Sequence, residues 1–250
     1  MNKILLCSLM SFPMLAIAMD LPATLQWSQR VELAAPASGV VQQVHVHAGD
    51  RVKKGQVLVT LDPAAYSAGV AESRADLARS QEEEQEAKRN LDRVEELYNR
   101  TVISISELEL AQTRHARAKA QSDGARAKLA ATQARLRDAS LRAPFDGIVL
   151  LRQVEPGQAV ASLLQPQPLI VLARSGEMVA RGKASLAQIE KLKVGDAVTV
   201  EVNKQSYTGK IKTLGLEPAG EKGDIGYPVD ALFEVKQVLR AGTPATLKLP

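Results

Sequence analysis

The chain has 250 residues, 45% of them hydrophobic, and a formal net charge of +4. That is room for one to three globular domains, with no excess of apolar sequence. The mild charge, with aromatics at only 3% and no basic cluster interleaved with them, excludes a nucleic-acid-binding surface.

Residues 1–18, MNKILLCSLMSFPMLAIA, combine Lys3, an apolar run and the small-x-small end Ala16-Ile17-Ala18. This is the pattern of a secretory signal peptide cut after Ala18. Its apolar run of about 15 residues falls short of the roughly 20 that span a bilayer. The one cysteine, Cys7, lies inside that run, so the exported chain is expected to carry neither a lipid-modified cysteine nor a disulfide. No later segment is apolar enough to span a membrane.

Residues 19–34 form a lead-in containing Trp27, with a strand expected over Ser28–Leu33. Residues 35–62 alternate apolar and polar side chains between turn signals at Pro36, Gly39, Gly49-Asp50 and Gly55, so they read as a small β unit. Val44, Val46, Val57, Val59 and Leu61 are its expected inward positions. His45 and His47 alternate with the valines and should face solvent. They bring no third ligand with them, so they do not make a metal site.

From Ala64 to Ala139 the period becomes seven. Val70, Leu77, Glu84, Leu91 and Tyr98 form one series, with Ser73, Ser80, Ala87, Val94 and Thr101 three residues later. Leu108, His115, Ser122, Leu129 and Leu136, with Ala111, Ala118, Ala125, Thr132 and Ala139, form the second. These are the a and d positions of two coiled-coil arms, each of about 36 residues and roughly 54 Å long. The β-branched run TVISIS at 101–106 is the expected bend. Residues 64–100 carry six basic and nine acidic groups, residues 104–139 seven and four, which favours antiparallel pairing of the arms. Glu84, His115, Gly124 and the many alanines and serines make the seam weak, so the hairpin is expected to need neighbouring copies or a partner.

Residues 143–160, APFDGIVLLRQVEPGQAV, then repeat residues 35–52, APASGVVQQVHVHAGDRV. Seven identities recur at a constant offset of 108: Ala35, Pro36, Gly39, Val41, Val46, Gly49 and Val52 return as Ala143, Pro144, Gly147, Val149, Val154, Gly157 and Val160. Two copies so far apart indicate one β domain (35–62 and 141–173) split by an insertion at 63–140, with Gly39 expected to face Gly147 across a pseudo-twofold axis. After residue 173, strands are expected at Met178–Ala184, Ala197–Val202, Tyr207–Leu214, Tyr227–Val235 and Thr243–Leu249. A capping box at Ser185–Gln188 should open a short helix to Leu192. This part, residues 174–250 with 19–34, reads as a small antiparallel β-barrel.

The two β halves resemble lipoyl or biotinyl carrier domains, most closely over Gly49-Asp50-Arg51-Val52-Lys53-Lys54-Gly55-Gln56-Val57-Leu58. No lysine occurs from Gly55 to Ala87, so the modified lysine of a carrier is missing and a helical hairpin stands in its place. A signal peptide, a split lipoyl-like domain carrying a coiled-coil hairpin and a β-barrel together resemble the periplasmic adaptors, or membrane fusion proteins, of tripartite efflux pumps (HlyD-like, RND-type). The fold class expected is mixed and mainly β, with a long antiparallel α-helical hairpin. At the bend, Arg93, Leu97 and Ser104 resemble the family's channel-docking residues. Ser104-Ile105-Ser106-Glu107-Leu108-Glu109-Leu110-Ala111 resembles its S-x-x-E-L-D/E-x-A pattern, which adds Glu107; Glu109 stands where Asp is commoner. The resemblance implies no catalysis, no cofactor and no metal. It implies a hexameric ring in the periplasm, peripheral to the inner membrane, bridging an inner-membrane transporter and a TolC-like outer-membrane channel. The short leader favours a resistance-nodulation-division (RND) transporter over an ABC or major-facilitator exporter, with a metal-efflux adaptor a further alternative. The further membrane-proximal β domain of many adaptors is expected to be missing.

Overall fold

The computed structural model describes residues 19–161, 167–220 and 225–249. The expected signal peptide at 1–18 lies outside them. In chain order the elements are strands β1 (Met19–Trp27), β2 (Arg30–Ala34), β3 (Gly39–Val44), β4 (Arg51–Val52) and β5 (Val57–Leu61), helices α1 (Ala64–Asn99) and α2 (Ile105–Asp138), and strands β6 (Ser140–Arg142), β7 (Gly147–Arg152), β8 (Ala159–Val160), β9 (Pro168–Arg174) and β10 (Glu177–Ala184). A four-residue helix α3 (Leu186–Ile189) and strands β11 (Ala197–Val202), β12 (Gln205–Leu214), β13 (Tyr227–Glu234) and β14 (Pro244–Leu249) complete it. They fall into two compact units, Val31–Leu172 and residues 1–30 with 173–250.

The first unit is built on the repeat. Its two four-stranded sheets run β2-β9-β7-β4 and β6-β5-β3-β8. The 108-residue offset carries β3 onto β7, β4 onto β8 and β2 onto β6, so each sheet is the image of the other and each mixes strands of both halves. Gly39 pairs with Val160 and Gly147 with Val52, the same pair seen from the two halves. Within its own sheet each glycine lies opposite the valine that ends the other half's motif. The backbone bonds repeat as well. Val41 N–H donates to Gln158 O and Val149 N–H to Asp50 O, both at 2.9 Å, while Gly49 and Gly157 donate to Val149 O and Val41 O, both at 2.8 Å. Gly49 and Gly157 adopt φ +95° and +88°, a region that L side chains avoid, which explains their recurrence.

β2 belongs to this sandwich rather than to the barrel expected over 19–34. Residues 28–29 break the strand anticipated at Ser28–Leu33, and the repeat pairs β2 with β6. β5 also departs from strict alternation. Leu58 is as fully buried as Val59 and Leu61, because the register of β5 against β6 shifts between Val57 and Val59, and such an irregularity breaks the period of two. His45 and His47 are exposed, as their alternation predicts. His45 Nε2 lies 2.8 Å from Thr60 Oγ1.

α1 and α2 are inserted between β5 and β6, which are antiparallel neighbours, so the hairpin grows from one enlarged turn. Its root is held by Leu61 N–H to Ala139 O (2.8 Å), Asp62 N–H to Val40 O (2.8 Å) and the Tyr66 hydroxyl to Ser38 O (2.6 Å). The heptad positions face inward: Val70, Ser73, Ser80, Leu91, Ala111, Ser122 and Ala139 are buried, and the others up to Val94 on α1 and from Leu108 on α2 are half-buried. Tyr98 and Thr101, at the bend, are exposed. Between the arms, Lys128 Nζ lies 2.9 Å from Asp76 Oδ2 and 3.9 Å from Glu72 Oε1.

In the second unit β1-β10-β13-β12-β11-β14 close into a barrel with antiparallel pairing throughout. Leu25, Met178, Val200, Ile211, Phe233 and Leu247 fill it. On its outer face the paired residues Arg181 and Asp230 form a two-pronged ion pair at 2.6 and 2.7 Å. α3 is shorter than expected, ending at Ile189, though Ser185 N–H does donate to Gln188 Oε1 at 2.7 Å.

Candidate docking site at the hairpin tip

The bend is tighter than TVISIS suggested, since Ile105 and Ser106 already belong to α2. α1 closes on a reversal made without glycine. Thr101 N–H donates to Tyr98 O at 2.8 Å and Val102 N–H to Leu97 O at 3.1 Å, with Thr101 at φ +61°. This is the Schellman arrangement, in which the residue after the cap turns left-handed and two orphan carbonyls find donors. Glycine is the usual occupant, and a β-branched side chain there is strained. The arrangement places Leu97 and Val102 at the two positions that commonly make its apolar contact, and Leu97 is half-buried.

Ser104 has the extended backbone of a helix N-cap (φ −78°, ψ 157°), but its hydroxyl does not cap. Its Oγ instead lies 2.9 Å from Ser106 Oγ. The S-x-x-E spacing to Glu107 is thus a capping box in sequence only. Glu107 is exposed, and its charge sits in the first turn of α2, where the helix dipole favours it. Arg93 is exposed, and no ion pair or hydrogen bond engages its guanidinium among the described residues.

Four further apolar side chains stand in solvent near the bend: Tyr98 at 37%, Val102 at 66%, Ile105 at 54% and Leu110 at 49%. They accompany Leu97, which the family resemblance singles out alone among the apolar residues of the tip. Val102 and Ile105 lie in the β-branched run itself, whose composition marks a bend and does not by itself mark an apolar surface. Among the described residues no group of three His, Cys, Asp or Glu could hold a metal ion, and no helix is long and apolar enough to cross a membrane.

Residues 29–165, more than half of the chain, match the CzcB-like barrel-sandwich hybrid domain family. The chain belongs to the membrane fusion protein, or periplasmic adaptor, family. Among curated relatives, the multidrug resistance protein MdtA of Klebsiella pneumoniae is 27% identical over 205 residues, which are 76% of this chain and 48% of the relative. MdtA of Cronobacter turicensis is 25% identical, over 76% of this chain and 46% of the relative. This adaptor thus spans about half the length of the curated relatives it matches. A MacA-MexA chimeric protein containing the Pseudomonas aeruginosa MexA α-hairpin domain is 26% identical, with a TM-score of 0.65 over 93% of this chain and 79% of that one. The membrane fusion protein Spr0693 of Streptococcus pneumoniae, 16% identical, shares the fold with a TM-score of 0.71 over 93% and 99% of the two chains.

Proposed function

We propose that this adaptor bridges an inner-membrane transporter of the RND type and a TolC-like outer-membrane channel in the periplasm, and performs no chemistry itself. The observation that carries the reading is the tip. A two-helix arm, each helix more than 30 residues long, ends in exposed Val102, Ile105 and Tyr98 beside Arg93. Exposed aliphatics clustered at the end of a long arm favour a partner surface. An arginine with unfilled donors can offer a bidentate fork to a carboxylate or to helix-end carbonyls there. Arg93, Leu97, Ser104 and Glu107 are proposed as the docking set. The weak seam fits hairpins that pack beside one another in a hexameric ring. The relatives named for multidrug resistance support an exported small-molecule cargo. The RND preference rests on the short apolar run of residues 1–18, read as a cleaved leader.

The test is complementation of a strain lacking the adaptor. Arg93→Asp should abolish export at unchanged protein level and helicity, since the exposed Arg93 guanidinium makes no ion pair or hydrogen bond among the described residues. Arg79→Asp or Arg126→Asp, further down the arms, should be tolerated. Full export by the Arg93 variant would remove the docking assignment, and co-purification with an ABC exporter in place of an RND transporter would remove the transporter class.

A further inference from the structure

The strand polarity of the barrel gives it two distinct ends. The chain passes to the other unit at one, through Trp27 and Glu177, where Trp27 pairs with Met178 and Glu177 with Glu234. At the other end lie the starts of β1 and β13, the ends of β10, β12 and β14, and the α3–β11 connection. Of the five large hydrophobic side chains that the described part of this unit exposes, four stand on connections at this second end: Leu186 at 55%, Val194 at 66%, Leu216 at 94% and Ile225 at 65%. The fifth, Val238, is at the first end. Singly scattered aliphatics need no explanation, but convergence on one end does.

Five exposed lysines accompany them: Lys183, Lys191, Lys193, Lys210 and Lys212. Among the described residues the carboxylates alongside are Glu190, Asp196 and Glu217, with Asp20 opposite Lys248 in register and Lys248 itself held by Glu201 at 2.6 Å. No tryptophan or arginine stands on these connections among the described residues; on the adjoining strands Arg181 is held by Asp230 and Tyr227 is half-buried. The centres of protein–protein interfaces are enriched in Trp, Tyr and Arg and depleted in Lys. Aliphatic side chains on protruding loops, ringed by lysines, are instead what an interfacial lipid contact uses: the aliphatics enter the headgroup boundary and the lysines meet anionic headgroups.

We infer that this end of the barrel is a docking face for an anionic lipid surface, a contact separate from the hairpin tip. Leu186, Val194, Leu216 and Ile225 insert, while Lys191, Lys193 and Lys210 supply the charge match. The face acts alongside any protein partner and orients the barrel against the bilayer.

The test is sedimentation of the full chain, as recovered from cells and checked by intact mass, with vesicles of phosphatidylcholine alone or mixed with phosphatidylglycerol. Binding is expected to the mixed vesicles and to weaken with added salt. Leu216→Ser with Ile225→Ser, and separately Lys191→Glu with Lys193→Glu, should each lower partitioning by about tenfold or more. Leu186→Ser with Val194→Ser is the second apolar pair, should the first disturb the fold by circular dichroism. Val102→Ser at the hairpin tip should bind vesicles like the parent. No binding to mixed vesicles overturns the inference. Binding that the barrel variants leave unchanged also overturns it, as a retained leader would produce. So does binding only to a transporter embedded in neutral lipid, which would make the face a protein contact.

Discussion

Two hydroxyls in the hairpin seam should destabilise it, and removing them should show how much. Ser73 and Ser122 are 1% and 0% exposed, and neither Oγ has a hydrogen-bond partner. A buried hydroxyl without a partner costs about 1–3 kcal/mol, and alanine is also the better helix former by a few tenths. Replacing either serine with alanine removes one buried polar atom and little packing, so each change should stabilise by about 1–2 kcal/mol. At roughly 2–4 °C per kcal/mol for a unit of this size, the helical melting transition at 222 nm should rise by about 2–8 °C per substitution. The two sites lie on different helices, away from each other along the seam, so their effects should add. Ser80 is the internal control. It is 3% exposed, but its hydroxyl donates to Asp76 O at 2.9 Å, so Ser80→Ala trades a satisfied bond for helix propensity and should stay within about 0.5 kcal/mol. If Ser73→Ala and Ser122→Ala move the transition no more than Ser80→Ala, the hydroxyls have partners and this account of the weak seam fails.

Thr101→Gly should raise the same transition by roughly 0.5–1 kcal/mol, the relief of the φ +61° conformation less the extra chain entropy of glycine, whereas Thr101→Val should lower it. The arms should also titrate. The Lys128 ammonium, by hydrogen bond first and charge second, holds the Asp76 carboxyl below its usual 3.8. The folded value is thus below the unfolded one, and the stability it brings is present above 3.8 and lost as pH falls through the folded value. Lys128 is raised above 10.5 by the same pair, so its contribution is present below 10.5 and lost as pH climbs through the folded value. Melting temperatures followed across both limits should flatten in Lys128→Met; an unchanged profile would show that the pair does not couple the arms in solution.

The hairpin was legible because a seven-residue period survives even where Glu84, His115 and the serines weaken it: the predicted seam positions from Val70 to Val94 and from Leu108 to Ala139 do face inward. The β repeat was legible because glycines at positive φ and buried valines tolerate few substitutes. What stayed hidden depends on tertiary pairing. β2 looked like a lead-in to the barrel because its repeat mate, β6, is only three residues long and carries a single identity, Leu33 with Leu141. Leu58 falls out of the inward set because period two presumes an unbroken register, and β5 shifts register between Val57 and Val59. At the tip, the reversal carries no glycine to announce it, and the Ser104 hydroxyl meets Ser106 in place of a backbone N–H of α2. The exposed aliphatics at the tip and the barrel end are ordinary letters in sequence; only the fold brings them together.

The bridging role is tested most directly by a photo-crosslinking amino acid placed at position 93 or 102 of the chain in cells that depend on it for export. The account predicts adducts with a TolC-like outer-membrane channel from both positions and none from position 79, with export intact before illumination. Adducts confined to other copies of this chain, or none, in cells that still export would contradict it.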